Sequence, residues 1–199
     1  AVGVWVGVSQ LEYAALSLQQ TAVSPYYATG SHLAVSSGRL SFTFGLHGPA
    51  LTVDTACSSS LVTSHLAARS IQSGEVGRAL TLGVNLTLAS SWTLACNRAG
   101  MLAPDGRCKT LDASADGYVR AEGAGGLCLA ALPASSSTSG NLPVLAMLAG
   151  SAVNQDGRSS SLTAPHGPSQ QAVIKAAHAS AGVMHLQVTQ YELHGTGES

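Results

Sequence analysis

Residues 53–61, VDTACSSSL, place a cysteine between an extended, β-branched run and a serine cluster that opens a longer amphipathic stretch. Upstream, ALTVDTA (50–56) is rich in the residues that favour strands. Downstream, Leu61, Val62, Leu66, Ala67 and Ile71 recur at three- and four-residue intervals, which predicts a helix from Ser58 to Ser73 with one apolar face and Gly74 as its stop. Cys57 therefore falls where a strand turns into a helix. Free N–H groups and the macrodipole favour negative charge at such a point, and the thiolate is the nucleophilic form of a cysteine. Ala56 and Ser58 are small, so a substrate can approach and the Cys57 N–H can donate to an oxyanion. The competing reading of any cysteine in an apolar chain is a small buried hydrophobe, and Cys96, Cys108 and Cys128 keep that reading.

The same alternation runs outward in both directions. AVGVWVGVS (1–9) reads as a buried strand and LEYAALSL (11–18) as a helix with Leu11, Ala14, Ala15 and Leu18 on one face. Residues 31–44 read as a helix capped by Ser31, whose hydroxyl can accept from an orphan N–H of the first turn. RALTLGVNLTL (78–88) is a further strand, followed by a long turn-rich loop over 98–125. Residues 125–132 and 144–153 read as neighbouring strands joined by the Ser-rich segment 133–141. A helix over 168–182 starts at a proline and ends at Gly182, and QVTQYELH (187–194) reads as a last strand. No internal repeat is present. The pattern predicts an α/β layered fold whose strands are buried on both faces.

Composition bounds the function. The 199 residues are 45% hydrophobic and 10% charged, with 22 glycines, so a chain this poor in charge is expected to hide much of its surface in a larger domain or an oligomer. A net charge of -1 and nine scattered basic residues leave no basic stripe for nucleic acid. No apolar run reaches the length of a membrane span. The first residues carry neither an initiator Met nor a basic signal region, and the last follow directly on a buried-strand pattern, so both ends read as cut. The four cysteines form no CxxC pair and lie at no zinc spacing, which leaves no metal site and reduced thiols in a cytoplasm-like compartment. The sequon at Asn85 is then a chance match.

Asp112, Ser114, Asp116 and Gly117 imitate the start of a calcium loop, but its twelfth position is Gly123 where a bidentate Glu is needed. Asp116, Arg120 and Glu122 are better read as an ion-pair network fixing the loop. No G-x-S-x-G elbow occurs, which disfavours a serine hydrolase. His65 and His178, on predicted helices, are read as ordinary surface or core histidines.

VDTACSSSL resembles the active-site signature of β-ketoacyl synthases, in particular the ketosynthase domains of type I polyketide synthases. Three further blocks are similar to that family and stand in its order: residues 99–125, residues 150–177 and the closing HGTG (194–197), so that the likeness runs from GVWVGVS (3–9) to the end. The resemblance implies a thiolase-like fold of two similar halves, of which the chain covers most of the first and the opening strand of the second. It implies that Cys57 accepts an acyl chain from the phosphopantetheine arm of an acyl carrier protein. A malonyl-type thioester then loses CO2, and its enolate attacks the acyl group in a Claisen condensation. His194 matches the first of two histidines that assist decarboxylation, and Thr196 a threonine that hydrogen-bonds the pantetheine arm. The second histidine and a structural lysine of the family lie beyond Ser199. The complete domain is expected to be a homodimer with no permanently bound cofactor.

Departures from the family pattern are Leu111, Ala121, His166 and Glu198, the last standing where a second threonine is usual. The first three bear on specificity rather than reaction type, and Glu198, in the last dipeptide, reads as an artefact of the end in preference to an altered carrier contact. The chemistry fits the residue types independently: thioester exchange suits a soft thiolate, and loss of CO2 needs only donors aimed at the nascent enolate oxygen. Two other readings stand beside this one. A cysteine hydrolase of another fold also wants a distant Cys and His, but gives no account of the 99–125 and 150–177 blocks. A catalytically incomplete ketosynthase piece with a structural role is the second.

Overall fold

The computed structural model describes residues 1–19, 22–132, 143–162 and 164–197. They fall into two compact units, one of residues 1–131 with 193–199 and one of residues 132–192. The first holds a four-stranded sheet of β1 (Val2–Gly7), β2 (Ala50–Val53), β3 (Arg78–Asn85) and β4 (Gly123–Ala130) in the order β2-β1-β3-β4. The first three strands are parallel and β4 runs antiparallel to β3. Between them lie helices α1 (Glu12–Ser17), α2 (Tyr27–Ser31), α3 (Leu33–Phe44), α4 (Ser59–Gln72) and α5 (Ser90–Arg98).

Side-chain contacts fix the layers. Val6 is in register with Thr52, whose hydroxyl donates to Ser37 Oγ at 3.1 Å and accepts from the Ser37 N–H at 3.3 Å, so α3 covers the Val4–Val6 face. Trp5 points the other way and packs with Ala67, Val76 and Ala79, with Ile71 and Leu129 beside them, so α4 covers the opposite face. Burying Val4, Trp5 and Val6 on both sides of one strand makes β1 the centre of the core.

The expectation of strands buried throughout holds for β1 alone. β4 has a neighbour on one edge only and is exposed along nearly all its length, with Leu127 at 55% exposure. The expected face of α4 is also corrected. Its buried residues are Ser59, Thr63, Ala67 and Ser70, whereas Leu61 is 74% exposed. The cause is close approach. A Cβ on Gly7 would stand 2.7 Å from the Ser59 carbonyl carbon, and one on Gly83, the register partner of Gly7, 2.7 Å from Ser60 Cβ. Only small side chains fit a helix laid that tightly on a sheet.

The cap of α3 differs as well. His32 precedes the helix in extended backbone and its Nδ1 accepts from the Ala34 N–H at 3.3 Å, while Ser31 ends α2. The loop predicted over 98–125 is shorter at both ends: α5 runs through Arg98 and β4 begins at Gly123, and between them Leu102 and Tyr118 form an isolated bridge.

The second unit carries α6 (Gly167–Ala181), with proline in its first turn and Gly182 at φ 65° receiving the left-handed cap, as the sequence predicts. The strands predicted over 144–153 and 187–194 are not formed; a 3-10 turn, His185–Gln187, leads into the second stretch, which is otherwise irregular. A strand exists only through the ladder it shares with a neighbour, and the described residues of this unit include no strand. The Ser-rich connection predicted over 133–141 lies outside the described residues, as does Glu198.

Candidate active site

The three parallel strands end at Gly7, Val53 and Asn85, and loops beyond the carboxyl ends of such strands are where α/β folds place ligands. Beyond Val53 the chain makes one 3-10 turn, Ala56–Ser58, and passes directly into α4. Cys57 sits in that turn, exposed, at the amino end of a fourteen-residue helix. The local sequence builds the turn from short polar side chains. Asp54 Oδ1 accepts from the Ala56 N–H at 2.9 Å, and Ser58 Oγ donates to the Thr55 carbonyl at 2.9 Å. Ser59 Oγ donates to the Ala56 carbonyl at 2.7 Å and accepts from the Thr55 N–H at 2.9 Å. Ala56 adopts φ 53°, a left-handed conformation that costs a non-glycine residue roughly 1–2 kcal/mol and that these bonds over-determine.

Ser59 is 5% exposed and carries two of those bonds, so its removal should be felt in both stability and presentation of the thiol. In the complete domain Ser59→Ala should cost about 1–3 kcal/mol, because it removes a buried hydroxyl that holds both the Thr55 N–H and the Ala56 carbonyl of the turn. Urea unfolding measures that loss. A variant as stable as the parent, with unchanged iodoacetamide labelling of Cys57, would show that the turn holds itself without this hydroxyl.

The 98–125 loop meets the HGTG segment within the first unit. Thr110 Oγ1 donates to the Gly195 carbonyl at 2.5 Å, and the Gly117 N–H donates to the Gly197 carbonyl at 3.3 Å. Gly195 and Gly197 have φ 65° and 67°, and a Cβ on Gly197 would fall onto the Cys108 carbonyl oxygen. His194 itself is exposed and follows irregular backbone, while Thr196 is half-buried between the two anchored glycines. Tyr118, next to Gly117, faces the other way: its hydroxyl donates to Cys96 Sγ at 3.7 Å. Burial, then that bond and the negative charge of Cys96 and Cys57 outweigh the pull of Arg120 and push the phenol up to about 12. Tyr118 is thus neutral at physiological pH.

The predicted network of Asp116, Arg120 and Glu122 resolves into three separate partnerships. Asp116 pairs with Lys109 at 2.7 Å, and Asp105 joins the same ammonium at 3.4 Å. Arg120 reaches Glu12 on α1 at 3.1 Å and Thr93 on α5 at 2.5 Å. Glu122 accepts from the Thr87 N–H at 2.8 Å and hydroxyl at 3.1 Å. Asp112 closes its own turn by accepting from Ser114. Cys96 is buried, as expected, Cys108 half-buried, and Cys128 exposed on β4, where the sequence suggests a buried hydrophobe.

Glu12 is the buried member of the Arg120 pair. Burial alone would raise its carboxyl, but the Ala89 N–H, Arg120 and the Leu88 N–H together hold it below the ordinary glutamate range. A depressed carboxyl stabilises the fold above its unfolded pKa of about 4.3, and the contribution is lost as pH falls through the folded value. Acidification should therefore release the 86–89 connection and α5 before the sheet opens. Hydrogen exchange at the Ala89 amide should accelerate in that window beyond the intrinsic acid trend in the parent but not in Glu12→Gln, which has no carboxylate to protonate.

The sequence model of the β-ketoacyl synthase N-terminal domain matches residues 1–134, and that of the C-terminal domain residues 145–199. Among curated proteins the chain is 49% identical to polyketide synthase GfsB of Streptomyces halstedii, over 99% of this chain and 4% of that protein. It is 47% identical to erythronolide synthase EryA3 of Saccharopolyspora erythraea, over 99% of this chain and 6% of that protein. Among solved structures, the ketosynthase from module 6 of the bacillaene synthase from Bacillus subtilis 168 superposes with a TM-score of 0.87 at 35% identity, over 98% of this chain and 33% of that one. The oxazolomycin ketosynthase domain OzmH KS7 of Streptomyces albus JA3453 gives 0.87 at 34%, over 98% and 35%. The chain thus spans a small part of each curated relative and about a third of each solved ketosynthase.

Proposed function

Because the chain belongs to the β-ketoacyl synthase family, with a thiolase-like α/β fold, we propose that it forms part of a ketosynthase that extends polyketide chains by decarboxylative Claisen condensation. The observation that carries this reading is the exposed Cys57 at the amino end of α4, on a turn held in a left-handed conformation at the carboxyl edge of the parallel strands. In the first step the Cys57 thiolate attacks an acyl thioester on the phosphopantetheine arm of an acyl carrier protein; a C–S bond forms to Cys57 and the arm leaves as its thiolate. In the second, a malonyl-type thioester loses CO2 and the electron pair passes to the enolate, whose oxygen accepts a hydrogen bond from a neutral imidazole, the role assigned to His194. In the third, the enolate carbon attacks the Cys57-bound acyl carbonyl, a C–C bond forms, and the Cys57 thiolate is released.

Thr196, half-buried beside His194, is assigned to hydrogen-bond the pantetheine arm. The partners are the acyl carrier protein with its acyl and malonyl-type thioesters, and a second copy of the ketosynthase in a homodimer. Four free cysteines, one of them the nucleophile, fit a reducing compartment, for which the cytoplasm is the default; no helix among the described residues is long and apolar enough to cross a membrane.

The test separates this reading from a cysteine hydrolase and from an inert structural piece. The full polypeptide is offered an acyl thioester and, separately, a peptide library. Stable acylation of Cys57 followed by condensation supports the proposal, peptide cleavage supports the hydrolase, and neither outcome supports the structural role.

A further inference from the structure

We propose that Thr110 is a positioning residue for His194, setting the direction of its imidazole through the backbone of the following residue. The inference rests on His194 being the enolate donor and deepens that assignment. Thr110 Oγ1 donates to the Gly195 carbonyl at 2.5 Å, so the peptide plane one residue after His194 is fixed by a side chain 85 positions away in sequence. Gly195 is in the left-handed region, and a Cβ there would stand 3.2 Å from the same hydroxyl, so the contact is close as well as polar.

The backbone on either side of Thr110 is strained in a way that serves this contact. Lys109 and Leu111 have φ 45° and 63°, both in the region that ordinary side chains avoid, and together they turn the short threonine side chain out of its own loop toward the HGTG segment. The strain is held from outside. The Lys109 ammonium is gripped by Asp116 at 2.7 Å and Asp105 at 3.4 Å, and the Asp112 N–H closes the turn on the Lys109 carbonyl at 3.0 Å. Leu111 is 90% exposed, so no burial of its side chain accounts for its conformation. At the far end of the segment, Gly197 is held by the Gly117 N–H and lies against the Cys108 carbonyl. His194 is therefore followed by backbone pinned at two points by one loop, and Thr110 supplies the side-chain pin. None of these contacts involves Cys57 or its turn.

The consequence is a split between the half-reactions. In the full polypeptide, Thr110→Val keeps the side-chain shape and removes the donor. Its Cys57 acylation rate should stay within about twofold of the parent, while decarboxylation of a malonyl thioester should fall by roughly ten- to a hundredfold in kcat, with KM for the malonyl carrier protein little changed, because a donor displaced by a fraction of an ångström loses its aim. Thr110→Ser retains the hydroxyl and should recover the parent rate to within about threefold. His194→Ala is run alongside. A slow His194→Ala with a Thr110→Val at parental decarboxylation would overturn the positioning role and leave His194 as the donor. Equal loss of acylation and decarboxylation in Thr110→Val, or no recovery in Thr110→Ser, would overturn it too, since the threonine would then be holding the fold and not the histidine. Parental decarboxylation by His194→Ala would overturn both the inference and the assignment beneath it.

Discussion

Cys57→Ala in the full polypeptide is expected to reduce acyl loading to background, a loss of roughly a thousandfold or more, while malonyl decarboxylation without an acyl partner persists. The size follows from the uniqueness of the site. Among the other thiols, Cys96 is buried beneath Tyr118, Cys108 turns its carbonyl to Gly197, and Cys128 lies on the β4 strand with no helix end behind it. The neighbouring hydroxyls of Ser58 and Ser59 are committed to the turn, Ser58 to Thr55 and Ser59 to Ala56 and Thr55. Loading of a labelled acyl thioester, followed by mass mapping, measures the effect. Label recovered on a serine or on another cysteine would remove Cys57 from the mechanism.

His194→Ala should fail differently. A thiolate at the head of a fourteen-residue helix does not depend on a donor aimed at a malonyl carbonyl, so loading should remain near the parent rate. Release of CO2 and condensation should fall by about a hundredfold or more, the scale seen when an oxyanion donor is deleted. The measurement is acylation of each variant first, then addition of malonyl carrier protein and collection of CO2. A variant that cannot be acylated yet still decarboxylates would reverse the roles and make His194 the base that activates Cys57.

What the sequence made legible was local. A β-branched run, a small-residue break and an amphipathic stretch opened by a serine cluster place Cys57 between strand and helix because each signal acts over a few residues, and the same holds for the proline start and glycine stop of α6. What it hid was relational. Residues 144–153 and 187–194 have strand-like composition, but pairing needs a neighbour that no short window reveals. Ser31 looked like the natural cap of α3, yet the helix begins two residues later and the imidazole of His32 takes that position. The apolar set on α4 pointed to a leucine-faced contact, and Gly7 and Gly83 turned it into one of serine, threonine and alanine. Arg120 was legible as a paired charge, but its partner Glu12 lies 108 residues away. Thr110 carried no signal at all, because its meaning lies in the dihedral angles of its neighbours.

The glycine pair beneath α4 makes the sheet a ruler. Where Gly7 and Gly83 stand side by side, the strands meet the first turn of the helix through the Ser59–Ser60 backbone and the small Ser60 side chain alone, so the height of the Cys57 thiol above the sheet is set almost entirely by backbone contact. A methyl group at either position would lift the helix and carry the nucleophile with it. Redesign of such an enzyme for a different acyl chain therefore has a fixed origin from which to measure: the walls of the acyl site can be recut residue by residue, provided that these two positions keep nothing larger than hydrogen.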